Sequence, residues 1–449
     1  MEKIIATLKS VLAKLKQQWY LPYFLILVHI VIGSSLVYAS PRSTIAFLFL
    51  LTALLSIYYF KVKPVFKGLA IAILLLGIMP VLGLRNIFYL EVIFQISVFA
   101  ALALGLNIVV GFAGLLNLGY AAFYAVGAYL WGFFGSQQMF LLNETPGTAP
   151  VGTPFFLPQD YFYLFLILGA IVASIVGLLL GLPVLRVRGD YLAIVTLGFG
   201  EVIRVLANNL DKPLNFTNGP QGITPIQRPT LAPEFVEAFN NIFSGVIGRP
   251  VSTGELYNVL FYVLSLIIVG IIIVVARNLE DSKMGRAWTA IREDETAAIA
   301  MGIPLVKMKL SAFAVGASFA GTMGVLVAAS RTFVSPESFS FMQSIGVLVM
   351  VILGGIGSIP GVILGAAVVT ILNLQILQGL SLYLSQLRQS DAIIPLINFA
   401  WADLSTQLDP AKYQRLLFGL ILILMMIFRP AGLIPAERRK RETEETKPE

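Results

Sequence analysis

The sequence predicts an all-α integral membrane protein that crosses the membrane many times. Of its 449 residues, 57% are hydrophobic and only 12% are charged, whereas a soluble domain carries about 25% charged residues. A spanning helix needs about 20 mostly apolar residues, and about twelve segments approach that length here. These segments lie at 20–39, 43–60, 68–84, 92–111, 119–135, 161–182, 190–207, 257–276, 310–330, 342–357, 361–380 and 415–429.

The amino-terminal stretch, residues 1–19, precedes the first span and has two interpretations. Apolar residues such as Ile4 and Leu8 fall on one helical face, and Lys3 and Lys9 lie off it. This pattern predicts an amphipathic helix on the membrane surface. A basic start to the first span fits equally well.

The distribution of basic residues predicts that both termini are cytoplasmic. With the amino terminus inside, the segments assigned to the cytoplasm hold about two thirds of the Lys and Arg residues. They include 61–67, the strongly charged loop 277–309 and the tail 436–449, which is predicted to be disordered. The loop 135–160, assigned outside, has no Lys or Arg.

The sequence also excludes several chemistries. It contains no cysteine, so disulfides and thiolate metal sites are excluded. Its only histidine, His29, lies within the first span and is predicted to be a packing residue rather than a proton relay. No Gly-Lys pair occurs, so the chain has no phosphate-binding loop. We therefore predict no catalytic residues, no metal site and no cofactor in this chain.

Two asparagines in apolar surroundings are candidates for a solute pathway. Asn107 and Asn117 lie in a glycine-rich segment, 103–129. Glycine weakens a helix and can free backbone groups for a ligand, which would suit a broken helix that lines a pathway. The alternative is an interhelical hydrogen bond at Asn107 and a tight turn at Asn117, because buried amides need partners.

The span that begins at Asp190 carries the other pathway candidates. Thr196, Gly198 and Gly200 lie near its middle, and Glu201 and Arg204 follow one turn apart. Charges inside a membrane are costly and face either a cavity or each other. This pair is therefore either a self-neutralising structural pair or part of the solute pathway.

Glycines elsewhere predict close helix packing rather than nucleotide binding. The segment 354–365 (GGIGSIPGVILG) lies between two apolar spans, with no acidic ribose partner after it. Gly361 and Gly365, like Gly177 and Gly181, have the spacing that lets helices approach closely.

The charged loop 277–309 predicts a docking element. Helical periodicity over 280–302 places apolar residues near one side, and Gly302 followed by Pro304 ends the helix. Such a helix fits a groove on a soluble partner or, alternatively, lies on the membrane. The apolar residues are Met284, Ala287, Trp288, Ile291, Ala298 and Ile299, and the charged ones are Arg286, Arg292, Glu293, Asp294 and Glu295.

Four motifs in order along the chain resemble one family. They are GDYLAIVTLGFGE, GRAWTAIREDETAAIAMGI, MVILGGIGSIPGVILGA and FRPAGLIP. Together they resemble the permease of branched-chain amino acid ABC importers, and more narrowly the longer of its two permease subunits. The similarity spans about 90–435, which would form the transmembrane domain with the coupling loop 277–309. The spans in 20–89 lie outside it.

The resemblance implies a multi-pass subunit of the cell inner membrane that works with partners. These would be a second homologous permease, two cytoplasmic ATPases that bind ATP and Mg, an extracytoplasmic solute-binding protein, and membrane lipid; no nucleic acid is expected. In the family a coupling helix with an Ala-Ala-x-x-x-Gly core enters each ATPase, matched here by Ala297, Ala298 and Gly302. Thr296 stands where ABC importers generally have Glu.

Three functions are compared. The first is an importer permease for branched-chain or other neutral or polar amino acids, working by alternating access, with a urea or short-amide importer as the alternative substrate class. The second is a self-sufficient secondary transporter, which would leave the charged loop unexplained. The third is a membrane enzyme, for which no catalytic group set is found.

Overall fold

A computed structural model of the chain describes residues 20–41, 43–143, 154–184, 190–389, 393–394, 399–400 and 405–436. The predictions for 1–19 and for nearly all of the tail 436–449 lie outside these residues. Within them, ten helical runs are long and apolar enough to cross a membrane, and two shorter apolar helices accompany them. Each predicted apolar segment coincides with one of these helices, so the polytopic all-α class is confirmed.

The helices are α1 (Leu21–Ala39), α2 (Thr44–Tyr59), α3 (Pro64–Ala72), α4 (Met79–Arg85), α5 (Ile87–Asn107), α6 (Ala121–Phe134), α7 (Tyr161–Val184), α8 (Asp190–Asn209), α9 (Pro233–Ile247), α10 (Thr253–Glu280), α11 (Lys283–Glu293), α12 (Glu295–Ala300), α13 (Leu305–Arg331), α14 (Phe341–Gly354), α15 (Ile359–Ile371), α16 (Gln378–Arg388) and α17 (Gln414–Phe428). Three π-helical segments, Ile73–Ile78, Ile108–Phe112 and Leu372–Leu377, join α3 to α4, extend α5 and join α15 to α16. A short antiparallel pair, β1 (Ile393–Ile394) and β2 (Phe399–Ala400), precedes α17.

The described residues divide into two compact units, of which the first comprises those within 20–93 and 232–263. In this unit His29 lies between α1 and α2, where its Nδ1 is 2.9 Å from the Ser56 Oγ and its Nε2 is 3.0 Å from the Phe49 carbonyl oxygen. His29 is thus a hydrogen-bonded packing residue. The Tyr262 hydroxyl donates to the Leu75 carbonyl inside the first π segment.

The second unit comprises the described residues within 94–231 and 264–449, and α13 is its central helix. Close backbone approaches hold α6 and α7 against it: a Cβ on Gly127 would lie 1.9 Å from the Gly321 carbonyl oxygen, and one on Gly177 would lie 2.9 Å from that of Phe313. On α15, a Cβ on Gly365 would lie 2.1 Å from the Met350 carbonyl oxygen. The predicted close packing at glycine is therefore observed.

One end of the second unit is closed by connections between helices. Ile223 pairs with Val334 in an isolated β-bridge, and Ile226 pairs with Ser136. Ile223 and Ile226 are buried, so the segment before α9 packs against the ends of α6 and α13.

Candidate functional site

The loop 277–309 forms two short helices, where the sequence predicts one. Asp294 has an extended backbone (φ −153°, ψ 112°) and ends α11, and its carboxylate then accepts hydrogen bonds from the amides of Thr296 and Ala297. It is the N-cap of α12, a role that Asp favours because its side chain satisfies free amides at a helix start. The chain leaves α12 at Gly302, whose φ of +80° favours glycine.

Both short helices are held against the first turns of α13. The Trp288 side chain is fully buried, and its indole N–H donates to the Met308 carbonyl at 2.8 Å. The Lys309 side chain is only 5% exposed, and its ammonium group pairs with the Glu295 carboxylate. Because α11 and α12 each have a polar tie to α13, the three helices can move as one body.

Arg292 connects the same loop to α5 and to the turn after α14. Its guanidinium donates to the Gly111 carbonyl in the π segment Ile108–Phe112. The Asn107 Oδ1 accepts the Gly357 amide at 2.8 Å, which ties the π segment to that turn. Arg292 therefore links α11 to the end of α5.

The carboxyl end of α12 carries exposed apolar side chains. Met301 is 83% exposed and Ile299 is 51% exposed, whereas Ala298 is 3% exposed and faces the protein. Ala297 and Gly302 are also exposed, and Arg286 is exposed with its guanidinium 2.8 Å from the Asp281 carbonyl oxygen. Ala297, Ile299, Met301 and Gly302, which we call the α12 tip, are thus open to a partner, whereas Ala298 is not.

The segment before α6 crosses α8 at very short range. The Leu118 amide donates to the Thr196 hydroxyl at 3.1 Å, and a Cβ on Gly119 would lie 1.9 Å from the Thr196 carbonyl oxygen. Gly200 faces Gly119 on the next turn, where its own Cβ would lie 2.9 Å from the Gly119 Cα. Asn117 Oδ1 accepts the Gly119 amide at 2.9 Å, so the tight-turn interpretation of Asn117 describes its geometry.

Farther along α8, three charged side chains form an ionic cluster. The Arg204 Nε donates to Glu201 Oε2 at 2.9 Å, and its Nη1 donates to Glu337 Oε1 at 3.1 Å. The pair predicted from the spacing of Glu201 and Arg204 therefore exists, with Glu337 as an unpredicted third member. Side-chain exposures are 34% for Glu201, 28% for Arg204 and 72% for Glu337, so the cluster lies at an open face of this chain.

A narrow crevice adjoins the ionic cluster on the side of α6. Glu201 forms part of its wall, and six of the other eight lining residues have apolar side chains. The empty space is about 170 Å³ and is too narrow for a water molecule, so the crevice must widen before it can hold a solute. Its lining residues are Leu118, Ala121, Ala122, Leu197, Gly200, Glu201, Phe339, Phe341 and Ser344.

The structure thus sorts the predicted pathway residues into two places. The contact of α8 with the start of α6 contains most of them, namely Asn117, Thr196, Gly200, Glu201 and Arg204. Gly198, also on α8, faces open space, since no atom lies within 4 Å of where its Cβ would be. Asn107 lies elsewhere, at the turn after α14.

The sequence patterns did not indicate the roles of four residues. Glu337 lies 133 positions from Arg204, and Lys309 lies 14 positions from Glu295, so no local spacing signals either pair. The sequence placed Trp288 on the apolar face of a helix and Arg292 among its charged residues, but it did not indicate their hydrogen bonds to Met308 and Gly111. A group of His, Asp and Glu able to hold a metal ion is absent from the described ranges.

Comparison with known proteins identifies the family. The family model for the permease component of branched-chain amino acid transport systems matches residues 88–426. The high-affinity branched-chain amino acid transport system permease protein LivM of Salmonella typhimurium is 39% identical over 347 residues, covering 76% of this chain and 68% of the relative. LivM of Escherichia coli is 38% identical over the same shares. Among solved structures, none matches the chain.

A second class of permease in the same transport systems is also related. LivH of Escherichia coli is 23% identical over 278 residues, covering 61% of this chain and 80% of the relative. The chain belongs to the permease component family of branched-chain amino acid transport systems, and it is a multi-pass inner-membrane protein. The relation to both LivM and LivH indicates a pair of permeases in one transport system.

Proposed function

We propose that this chain is the LivM-like permease subunit of an ATP-driven importer for branched-chain or other neutral amino acids. It works with a second permease, two cytoplasmic ATPases and an extracytoplasmic solute-binding protein. The transmembrane domain is 90–435, and the spans within 20–89 lie outside it. The chain forms half of the pore, and the ATPases hydrolyse ATP.

The observation that carries this proposal is the α12 tip with its rigid support. An exposed apolar tip on a short helix fits a groove of a soluble partner. Met301 at this tip is far more exposed than a side chain in a protein core. Because Trp288 and the Lys309–Glu295 pair fasten α11 and α12 to α13, a push on the tip moves α13 rather than bending the loop.

The coupling route continues into the pore through Arg292. Its hydrogen bond to Gly111 joins α11 to the π segment that extends α5. This helix is the most buried of the described spans. A π segment has a weaker hydrogen-bond ladder than an α-helix, and such segments occur often at functional sites. ATP binding closes the ATPases, moves the α12 tip and thereby changes the arrangement of α5, α8 and α13.

The solute pathway runs along α8. We assign to it Thr196, Gly198, Gly200, Glu201 and Arg204, together with Asn117 at the crossing loop. Asn107 has the different task of holding the π segment to the turn at Gly357. ATPase contact is assigned to Ala297, Ile299, Met301 and Gly302, with Arg286, Glu293 and Asp294 at its edge and Ala298 and Glu295 as support.

Uptake by reconstituted vesicles tests the function. The complete complex in proteoliposomes, with ATP inside and the solute-binding protein outside, is expected to accumulate radiolabelled leucine. Omitting the ATPases, ATP or the second permease should each abolish accumulation. Leucine uptake by this chain alone, driven by a sodium or proton gradient, would identify a secondary transporter instead.

A further inference from the structure

We propose that Arg204, Glu201 and Glu337 recognise the carboxylate and the ammonium group of an α-amino acid, and that the adjoining crevice receives its apolar side chain. This assignment rests on the proposed function and adds the chemistry by which the permease itself contacts the solute. The three charged residues are called the ionic triad below.

The position of the ionic triad requires a polar neighbour. Glu201 and Arg204 lie about 12 Å and 8 Å from the carboxyl end of α8, within a helix of about 30 Å that is apolar enough to span the membrane. Charged groups within a membrane are costly unless they face water, a polar solute or each other. The three side chains do not shield one another fully, because Glu201 and Arg204 remain partly exposed and Glu337 is exposed.

Each member of the triad has one side-chain nitrogen or oxygen atom of its charged group without a hydrogen bond in the described structure. Arg204 uses Nε and Nη1, which leaves Nη2 as a donor. Glu201 uses Oε2 and Glu337 uses Oε1, which leaves one carboxylate oxygen on each. A guanidinium N–H suits a carboxylate, and the free carboxylate oxygens suit an ammonium group.

The charges of the triad match a zwitterion. The cluster holds both signs of charge, so its guanidinium can face the carboxylate of a zwitterion while its carboxylates face the ammonium group. Urea or a short amide carries neither charge and would leave the charged atoms without an equivalent partner. The triad therefore favours an amino acid over the amide substrates that the sequence leaves open.

The crevice supplies the second half of the site. It shares Glu201 with the triad, so a solute whose ammonium contacts Glu201 can direct its side chain between Leu197 and Phe339. Phe339 is buried and rigidly placed, since it contacts the rings of Tyr124 and Tyr129. An apolar, branched side chain gains from such a wall by leaving water. The crevice is closed in this conformation and must widen to admit the side chain.

Photolabelling of the assembled complex tests this assignment. The probe is a leucine analogue with a diazirine at the branched carbon, applied to the purified complex. Labelling is expected on the segments that contain Leu197 and Phe339. Excess leucine should block it, whereas leucinamide, which lacks the carboxylate, and 4-methylpentanoate, which lacks the ammonium group, should not.

Two variants and a control separate recognition from folding. Arg204→Gln removes the centre of the triad, and Glu337→Gln removes its most exposed member, which contributes little to stability. Each should raise the half-saturating probe concentration about tenfold or more, the effect of losing a hydrogen bond to a charged group. Glu237→Gln, an exposed carboxylate on α9, should leave the half-saturating concentration unchanged.

The outcomes are distinct. Labelling outside the crevice, or unchanged half-saturation in Glu337→Gln, would overturn the assignment. A fall in thermal stability of Arg204→Gln with unchanged half-saturation would identify the triad as a structural tie only. If the wild-type complex accumulates leucine but fails these labelling tests, this inference fails and the proposed function stands; if it accumulates no amino acid, the proposed function fails.

Discussion

Replacing Glu295 by Gln should loosen the carboxyl end of the coupling loop. The change removes the carboxylate that pairs with Lys309, whose side chain is only 5% exposed. Removing one partner of a fully buried pair costs about 3–5 kcal/mol, because the remaining charge stays buried. The Glu295 side chain is 32% exposed, so water screens part of the interaction, and we expect about 1.5–3 kcal/mol, the value of a hydrogen bond to a charged group.

Amide hydrogen exchange in the assembled complex measures this loss directly. The amides of Ala298 and Ile303 donate to the Asp294 and Ala298 carbonyls and report on α12 and its exit. Their exchange should accelerate about 10–100-fold, because each 1.4 kcal/mol changes an opening constant tenfold.

The two partners of the pair should behave differently. Lys309→Met leaves a carboxylate that can reach water, so it should cost less than Glu295→Gln, which leaves a buried ammonium group. The double variant should show a coupling energy of about 1.5–3 kcal/mol. Lys307→Gln, on an exposed lysine of the same helical turn, is the matched control. Equal exchange in Glu295→Gln and Lys307→Gln would show that the Lys309–Glu295 pair does not hold α12 in place.

Three further changes test other parts of the structure. Gly302→Ala should destabilise the α12 exit by about 1 kcal/mol, because φ is +80° at this residue and no neighbouring atom would clash with the added Cβ. Gly302→Asn should cost less, because Asn tolerates a positive φ, and this difference would identify backbone strain as the cause. Gly127→Ala should cost about 3 kcal/mol of thermal stability through its clash with the α13 backbone, whereas Gly270→Ala, which meets no atom within 4 Å, should be neutral or slightly stabilising. Arg292→Gln should lower leucine uptake about tenfold while ATP hydrolysis continues, because it breaks the tie to Gly111; a parallel fall in both rates would contradict a coupling role.

The sequence predicted the spans well, because a bilayer imposes a length and composition that are visible residue by residue. The ends of the helices were less certain. Helix α10 continues beyond the predicted 276 to Glu280, and α13 begins at Leu305 rather than 310. Polar residues next to the membrane surface extend these helices, and hydropathy does not detect such extensions.

Features set by tertiary contact were beyond the sequence. The division of the coupling loop at Asp294 depends on whether its side chain caps a second helix, and both outcomes fit the same periodicity. The π segment at Ile108–Phe112 is stabilised by contacts with Arg292 and Gly357, which are far along the chain. Ala298 shares the predicted core motif with Ala297, yet one is buried and the other exposed.

The central claim is that the α12 tip contacts an ATPase, and one cysteine measurement tests it. Since the chain contains no cysteine, Met301→Cys introduces a unique thiol at a site that is 83% exposed, and Ala298→Cys places one at a site that is 3% exposed. Met301→Cys in the permease pair is expected to react with a maleimide, to be protected when the ATPases bind and to crosslink to them. Ala298→Cys is expected neither to react nor to crosslink. Equal labelling of Met301→Cys with and without bound ATPases, or labelling from the outer side of the membrane, would contradict it.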